Sequence, residues 1–136
     1  IESFAVQHET TTDTSVHLHI ARGLPDIEVS TKIALYRVVQ EALSNAYRHG
    51  GARRVDIRIG LRHTIAGPEL RLSITDNGAG FEIGEPTNDG HFGLRGMQDR
   101  VEMIGGQFSL VSTVGRGTSI MLDVPLAPRT TTSPSL

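Results

Sequence analysis

Apolar and polar residues alternate along Val16-His-Leu-His-Ile20. That is the period of a half-buried strand, whose successive side chains point to opposite faces. Gly23 and Pro25 interrupt it. From Thr31 to His49 the period lengthens, with apolar residues at Ile33, Ala34, Leu35, Val38, Val39, Ala42, Leu43, Ala46 and Tyr47. This stripe predicts a helix of about five turns. Ser30 stands where an N-cap belongs. Arg48 and His49 suit the negative end of the helix dipole, and Gly50 and Gly51 end the helix.

Alternation returns in Val55-Asp-Ile-Arg-Ile59 and in Leu70-Arg-Leu-Ser-Ile74. Residues 60–68, with Gly60, Gly67 and Pro68, read as a turn or short loop joining an antiparallel hairpin. Asp76 to Gly93 is rich in Gly, Asn and Asp and reads as a long loop, a length usually tied to function. Leu94, Met97, Val101 and Ile104 restore helical spacing before Gly105-Gly106. Strands are predicted at Gln107–Val111 and Thr118–Val124, with a turn at Gly115–Gly117. The order β-α-β-β-loop-α-β-β argues an α/β sandwich with helices on one sheet face. Residues 15–126 read as the domain, 1–14 as a lead-in and 127–136 as a disordered Thr/Ser/Pro tail.

Composition narrows the chemistry. The 136 residues include no cysteine, which excludes disulfides, thiolate zinc sites and cysteine nucleophiles. Thirteen Lys and Arg against fifteen Asp and Glu give a charge of -2, and aromatics are only 4%. A nucleic-acid surface, with basic charge and stacking platforms, is therefore not expected. No apolar run reaches the roughly 18 residues of a membrane helix. His17 and His19 share one strand face, and His8, His63 and His91 fit no metal-ligand spacing.

Four short motifs remain. Glu41, Asn45 and Arg48 share one face of the long helix. A carboxylate and an amide oxygen one turn apart are hard donors able to hold Mg2+ directly or through water. The simpler reading is a solvated face with a Glu41–Arg37 or Glu41–Arg48 ion pair. Asp76-Asn-Gly-Ala-Gly80 follows a strand. Asp76 there could accept from an exocyclic amine, and Gly78 and Gly80 permit close approach of a ligand; a tight Asx turn reads equally well. Gly90-His-Phe-Gly-Leu-Arg-Gly-Met97 opens a helix whose first amides attract phosphate, yet it is neither a dinucleotide fingerprint nor a P-loop. Gly115-Arg-Gly-Thr118 is a hairpin turn on its own, with Thr118 able to add a hydroxyl to a purine site.

Taken in order, Glu41-Ala-Leu-Ser-Asn45, Asp76-Asn-Gly-Ala-Gly80, Gly93-Leu-Arg-Gly-Met97 and Gly115-Arg-Gly-Thr118 resemble the ATP-binding domain of sensor histidine kinases. That domain belongs to the GHKL superfamily shared with gyrase, a heat-shock chaperone and mismatch-repair ATPases. Tyr36 to His49 and Gly90 to Val101 are most similar to the subfamily of nitrate and membrane-fluidity sensors. The resemblance implies a two-layer α/β sandwich with a mixed, mostly antiparallel sheet covered on one face by helices. It implies ATP and Mg2+ as ligands, with Asn45 on the metal and Glu41 acting through a metal-bound water or in proton transfer. Arg48, His49, Gly90, Gly93, Leu94 and Arg95 would surround the phosphates. Asp76, Gly78, Gly80 and Thr118 would form the adenine pocket, and residues 82–92 a lid.

The implied activity is transfer of the γ-phosphoryl group to a histidine on a dimerisation helix, with a response regulator downstream, in the cytoplasm and with no direct membrane contact. The His-acidic acceptor segment of the subfamily is missing, since His8 lies in no helix-forming stretch. The phenylalanine-bearing box of many such kinases is not recognisable either. A serine kinase of the anti-sigma-factor type, a stand-alone ATPase of the same superfamily and a non-catalytic nucleotide-binding module are the alternatives.

Overall fold

The computed structural model describes residues 14–48, 51–80 and 93–126. Seven elements follow one another: β1 (Ser15–Ile20), α1 (Val29–Arg48), β2 (Arg54–Thr64), β3 (Gly67–Asp76), α2 (Leu94–Met103), β4 (Gln107–Thr113) and β5 (Gly117–Pro125). The strands form one sheet in the order β1-β2-β3-β5-β4. Only β1 and β2 run parallel; the other three pairs are antiparallel. The element order and the mixed α/β architecture are those expected from the sequence.

Alternation decides the layering. Val55, Ile57 and Ile59 of β2 lie in register with Asp76, Ile74 and Leu72 of β3, and these with Thr118, Ile120 and Leu122 of β5. The apolar members of these rows are buried together with Val38, Val39, Ala42 and Leu43 of α1 and Met97 and Val101 of α2. Burying each large aliphatic side chain of this set contributes about 1.5–3 kcal/mol. The helices therefore cover one face of the sheet. On the stripe of α1, Ile33 and Tyr47 are half exposed while Thr31 is buried. The buried arc is narrower and slightly rotated from the one the apolar pattern suggests.

Three local expectations are corrected. Residues 60–68 are not a loop: the β2–β3 ladder runs through Gly60 as far as Thr64↔Gly67, and only Ile65 and Ala66 form the turn. Gly60 is held extended by pairing with Arg71, so its flexibility is overridden by the ladder. Ser30 is not the N-cap, because α1 already begins at Val29 and the Lys32 amide bonds to the Glu28 carbonyl at 3.0 Å. Thr14 is buried, and its hydroxyl donates to the Ala52 carbonyl at 2.9 Å, so the fold takes it in. The expected closing glycines do act after α2, where Gly105 takes φ 79 and the Gly106 amide returns to Val101 at 2.9 Å. The tail from 127 and the lead-in up to 13 lie outside the described residues.

The outer sheet face is polar. Asp123 of β5 accepts two bonds from Arg71, at 2.7 and 2.9 Å, and one from Arg62 at 3.1 Å. His17 and His19 lie exposed on the same face, in register with Asp56 and Arg58.

The hydrogen bonds from Arg71 hold the Asp123 carboxyl below its ordinary value of 3.8, against the opposing pull of burial. A lowered folded value means that the stabilisation is present above the unfolded value and is lost as pH falls through the folded one. Asp123→Asn should therefore cost about 0.5–1 kcal/mol at neutral pH, the pair being partly exposed. Urea titrations at descending pH should show that difference fading to nothing in strong acid. A difference independent of pH would assign the effect to packing instead.

Candidate functional site

The motifs gather at one end of the sandwich. Asp76 ends β3 on the helix-covered face, in register with Thr118, and Thr118 is in register with Ser112 of β4. Asp76 Oδ1 accepts from the Gly78 amide at 2.8 Å and from the Thr118 amide at 3.3 Å. Both amides fall on one oxygen, so Oδ2 takes no hydrogen bond among the described residues. Burial raises the Asp76 carboxyl above its ordinary value, and the two amide bonds oppose that shift.

Glycine makes this corner possible. Gly117 has φ 86, and a Cβ there would run into the Asp76 carbonyl oxygen. Gly80 has φ 69, and a Cβ there would meet the backbone of Thr113 and Gly117. Two strand ends and a loop thus meet backbone to backbone, which no side chain permits. Asn77 braces the other side, its Oδ1 accepting from the amides of Arg53 and Arg54 at 2.9 Å each. The tight-turn reading and the ligand reading of Asp76–Gly80 are therefore compatible, since the turn is what holds the carboxylate.

The helices meet at the same end. Glu41 and Asn45 are half-buried on α1. Gly93 precedes α2 with φ 76 and no side-chain cap. A Cβ on Gly93 would lie 2.6 Å from Glu41 Oε2, so the carboxylate packs on the entry to α2. The first amides of α2 have no intrahelical partner. Among the described residues Glu41 makes no ion pair with Arg37 or Arg48. The solvated ion-pair reading of this face is not what forms. Leu94 is half-buried, while Arg48 and Arg95 are exposed at the helix ends. His49, Gly90 and the lid at 82–92 lie outside the described residues.

Glu41 and Asn45 offer one carboxylate and one amide oxygen, a donor set that suits Mg2+, which keeps waters and shares phosphate oxygens. Among the described residues no group of three or more His, Cys, Asp or Glu could hold a metal alone. An apolar groove of about 590 Å³, lined by Ile20, Leu24, Ile27, Ile33 and Tyr36, lies against the start of α1, away from these motifs.

Two participants escaped the sequence reading. Ser112 bonds Thr118 hydroxyl to hydroxyl at 2.9 Å. It sits in an ordinary strand pattern, and only the β4–β5 register brings it to the site. Asn77 was visible in the Asp-Asn-Gly string, but its bond to the start of β2 is long-range.

A family model described as histidine kinase-, DNA gyrase B-, and HSP90-like ATPase matches residues 30–128. The chain is similar to the sensor histidine kinase LiaS of Bacillus subtilis, 39% identical over 94 residues, covering 69% of this chain and 25% of that protein. It is also similar to the signal transduction histidine-protein kinase/phosphatase DegS of Brevibacillus brevis, 38% identical over 108 residues, covering 79% and 26%. The chain thus spans about a quarter of the length of these relatives. The histidine kinase domain of the Erythrobacter litoralis EL346 blue-light activated histidine kinase shares the fold. Its TM-score is 0.69 at 22% identity, over 92% of this chain and 58% of that one.

Because the folded Asp76 value is raised, ionisation removes stability as pH climbs from the unfolded value through the folded one, and the deficit persists above it. Asp76→Asn keeps an oxygen for both amides and removes the buried charge. It should melt at or above the wild-type temperature at pH 7 and lack that decline; a clearly lower melting point would contradict the burial argument. Gly117→Ala should instead cost about 2–4 kcal/mol by denaturant titration, through positive φ and the clash with Asp76.

Proposed function

The chain belongs to the histidine kinase-, DNA gyrase B- and HSP90-like ATPase family, and we propose that it is the ATP-binding catalytic domain of a sensor histidine kinase that phosphorylates a histidine on a segment outside this chain. The observation that carries the reading is the Asp76 carboxylate. Two backbone amides hold one of its oxygens, and the other accepts no bond among the described residues. An adenine amine is the donor such an oxygen suits. The similarity to LiaS and DegS, named as histidine kinases, supports the class.

Phosphoryl transfer needs positioning and charge neutralisation more than covalent help from the protein. Bound Mg2+ would neutralise charge on the phosphates, held by Asn45 and, through water, by Glu41. The amides that open α2 after Gly93, at Leu94 and Arg95, would donate hydrogen bonds to the phosphate oxygens, favoured by the helix dipole. Arg48 and Arg95 add cations at the two helix ends. Glu41, packed on Gly93, would keep the metal-binding face of α1 and the entry to α2 in fixed relation. Gly78, Gly80 and Thr118 would shape the purine end. His49 and Gly90 complete the phosphate surroundings in this reading. The acceptor helix and a response regulator are the protein partners it calls for.

Calorimetry should detect Mg-ATP binding, and Asp76→Asn should weaken it tenfold or more, the buried acceptor being exchanged for an amide that presents a donor. Asn45→Ala should weaken Mg-ATP much more than metal-free ATP; equal losses would remove its metal role. With a separately made acceptor helix, the transferred phosphate should be acid-labile and base-stable. A base-labile, acid-stable product would indicate a serine kinase.

A further inference from the structure

The outer face of the sheet, opposite the helices, carries a polar recess that nucleotide binding does not use. His19 of β1, Arg58 of β2 and Ser73 of β3 stand in register and form one row across three strands. In the next row Gly60 pairs with Arg71, and Ala21 follows the end of β1, its amide bonded to the Ile59 carbonyl at 2.9 Å. The two small residues leave a groove of about 620 Å³, with His19, Arg58, Arg71 and Ser73 as its polar lining. A Cβ on Gly60 would meet nothing nearer than the Ala21 Cβ at 3.8 Å, so the recess is open where a side chain would otherwise stand.

Every polar side chain of that lining can donate, and none is a carboxylate. On this face Arg54 is paired with Asp56, and Arg62 and Arg71 with Asp123. Arg58 has no carboxylate partner among the described residues. Arg71 donates from Nε and Nη2 to Asp123 at 2.7 and 2.9 Å. This two-point bond fixes the plane of the guanidinium and leaves Nη1 with no acceptor among the described residues.

We propose that the recess is an anion site that takes a phosphate group, free or as a monoester, with Arg58 and Arg71 as its principal donors and His19 and Ser73 beside them. The donors arrive from three adjacent strands, each about 4.8 Å from the next. A planar carboxylate offers two oxygens, whereas a tetrahedral phosphate offers three and carries close to two charges at neutral pH. The extra charge compensates Arg58, since Asp123 already neutralises Arg71. The site lies across the sheet from Asp76 and does not rest on the ATP-binding reading.

The test titrates the chain with inorganic phosphate and, separately, with O-phosphoserine, followed by amide proton–nitrogen spectra at neutral pH with ionic strength held constant by sodium chloride. The amide signals of Ala21, Gly60 and Arg71 should shift and saturate. Arg58→Gln, at an exposed position, should weaken binding about fivefold or more. Gly60→Val, whose side chain suits a strand and fills the recess, should abolish the saturable shifts with an unchanged circular dichroism spectrum; should it fail to fold, Arg58→Gln decides. Tighter binding of phosphoserine would identify a phosphorylated side chain as the source, and tighter binding of phosphate the free ion; either supports the site. Shifts that stay linear with concentration, an equal response to acetate, or undiminished affinity in Arg58→Gln would overturn it. So would shifts confined to Gly78, Leu94 and Thr118, which would put the anion at the nucleotide end instead.

Discussion

The site depends on placing a carboxylate at the end of a buried strand with no cation beside it among the described residues. Among the described residues Asp76 is compensated by backbone amides alone, those of Gly78 and Thr118. Such compensation is partial, and burial wins, leaving the group harder to ionise than in water. An arginine partner would have satisfied it fully, as Arg71 does for Asp123 on the opposite face. It would also have occupied the oxygen that a ligand needs. The contrast between these two aspartates, one on each side of the same sheet, separates a residue kept for stability from one kept open.

Around that carboxylate the rest of the fold is positioning. The β3–β5 register sets Thr118 opposite Asp76, and the β4–β5 register sets Ser112 opposite Thr118. The apolar rows Ile57, Ile74 and Ile120 behind them fix these registers, because a slip by one residue would turn every buried side chain to solvent. Packing of α1 and α2 on the same rows brings Glu41 to Gly93. Core and site are therefore one construction, the polar row being the last rung of the apolar ladder.

The sequence displays much of this. Alternation at Val16–Ile20, Val55–Ile59 and Leu70–Ile74 locates strands, and the stripe from Ala34 to Ala46 locates the long helix. Local cues mislead where tertiary pairing overrides them. Gly60 looks like a break but lies within a ladder, and Ser30 looks like a cap but lies inside the first turn. Candidate residues legible in the sequence were those with unusual composition around them: Asp76 among glycines, and Glu41 and Asn45 on an apolar helix. Ser112 and the Asn77 brace were not, because what matters about them is a neighbour far along the chain, and a single sequence does not display pairing.

The contact between Gly93 and Glu41 also bears on how the chain can vary. Position 93 already needs a backbone that only glycine adopts easily, and position 41 fills the space a methyl group would claim. A lineage that replaced the glycine would have to shorten the acid as well, through an intermediate carrying one defect without its remedy. The two positions are therefore expected to drift as a unit or not at all, although 51 residues of chain separate the helix face from the turn that packs on it.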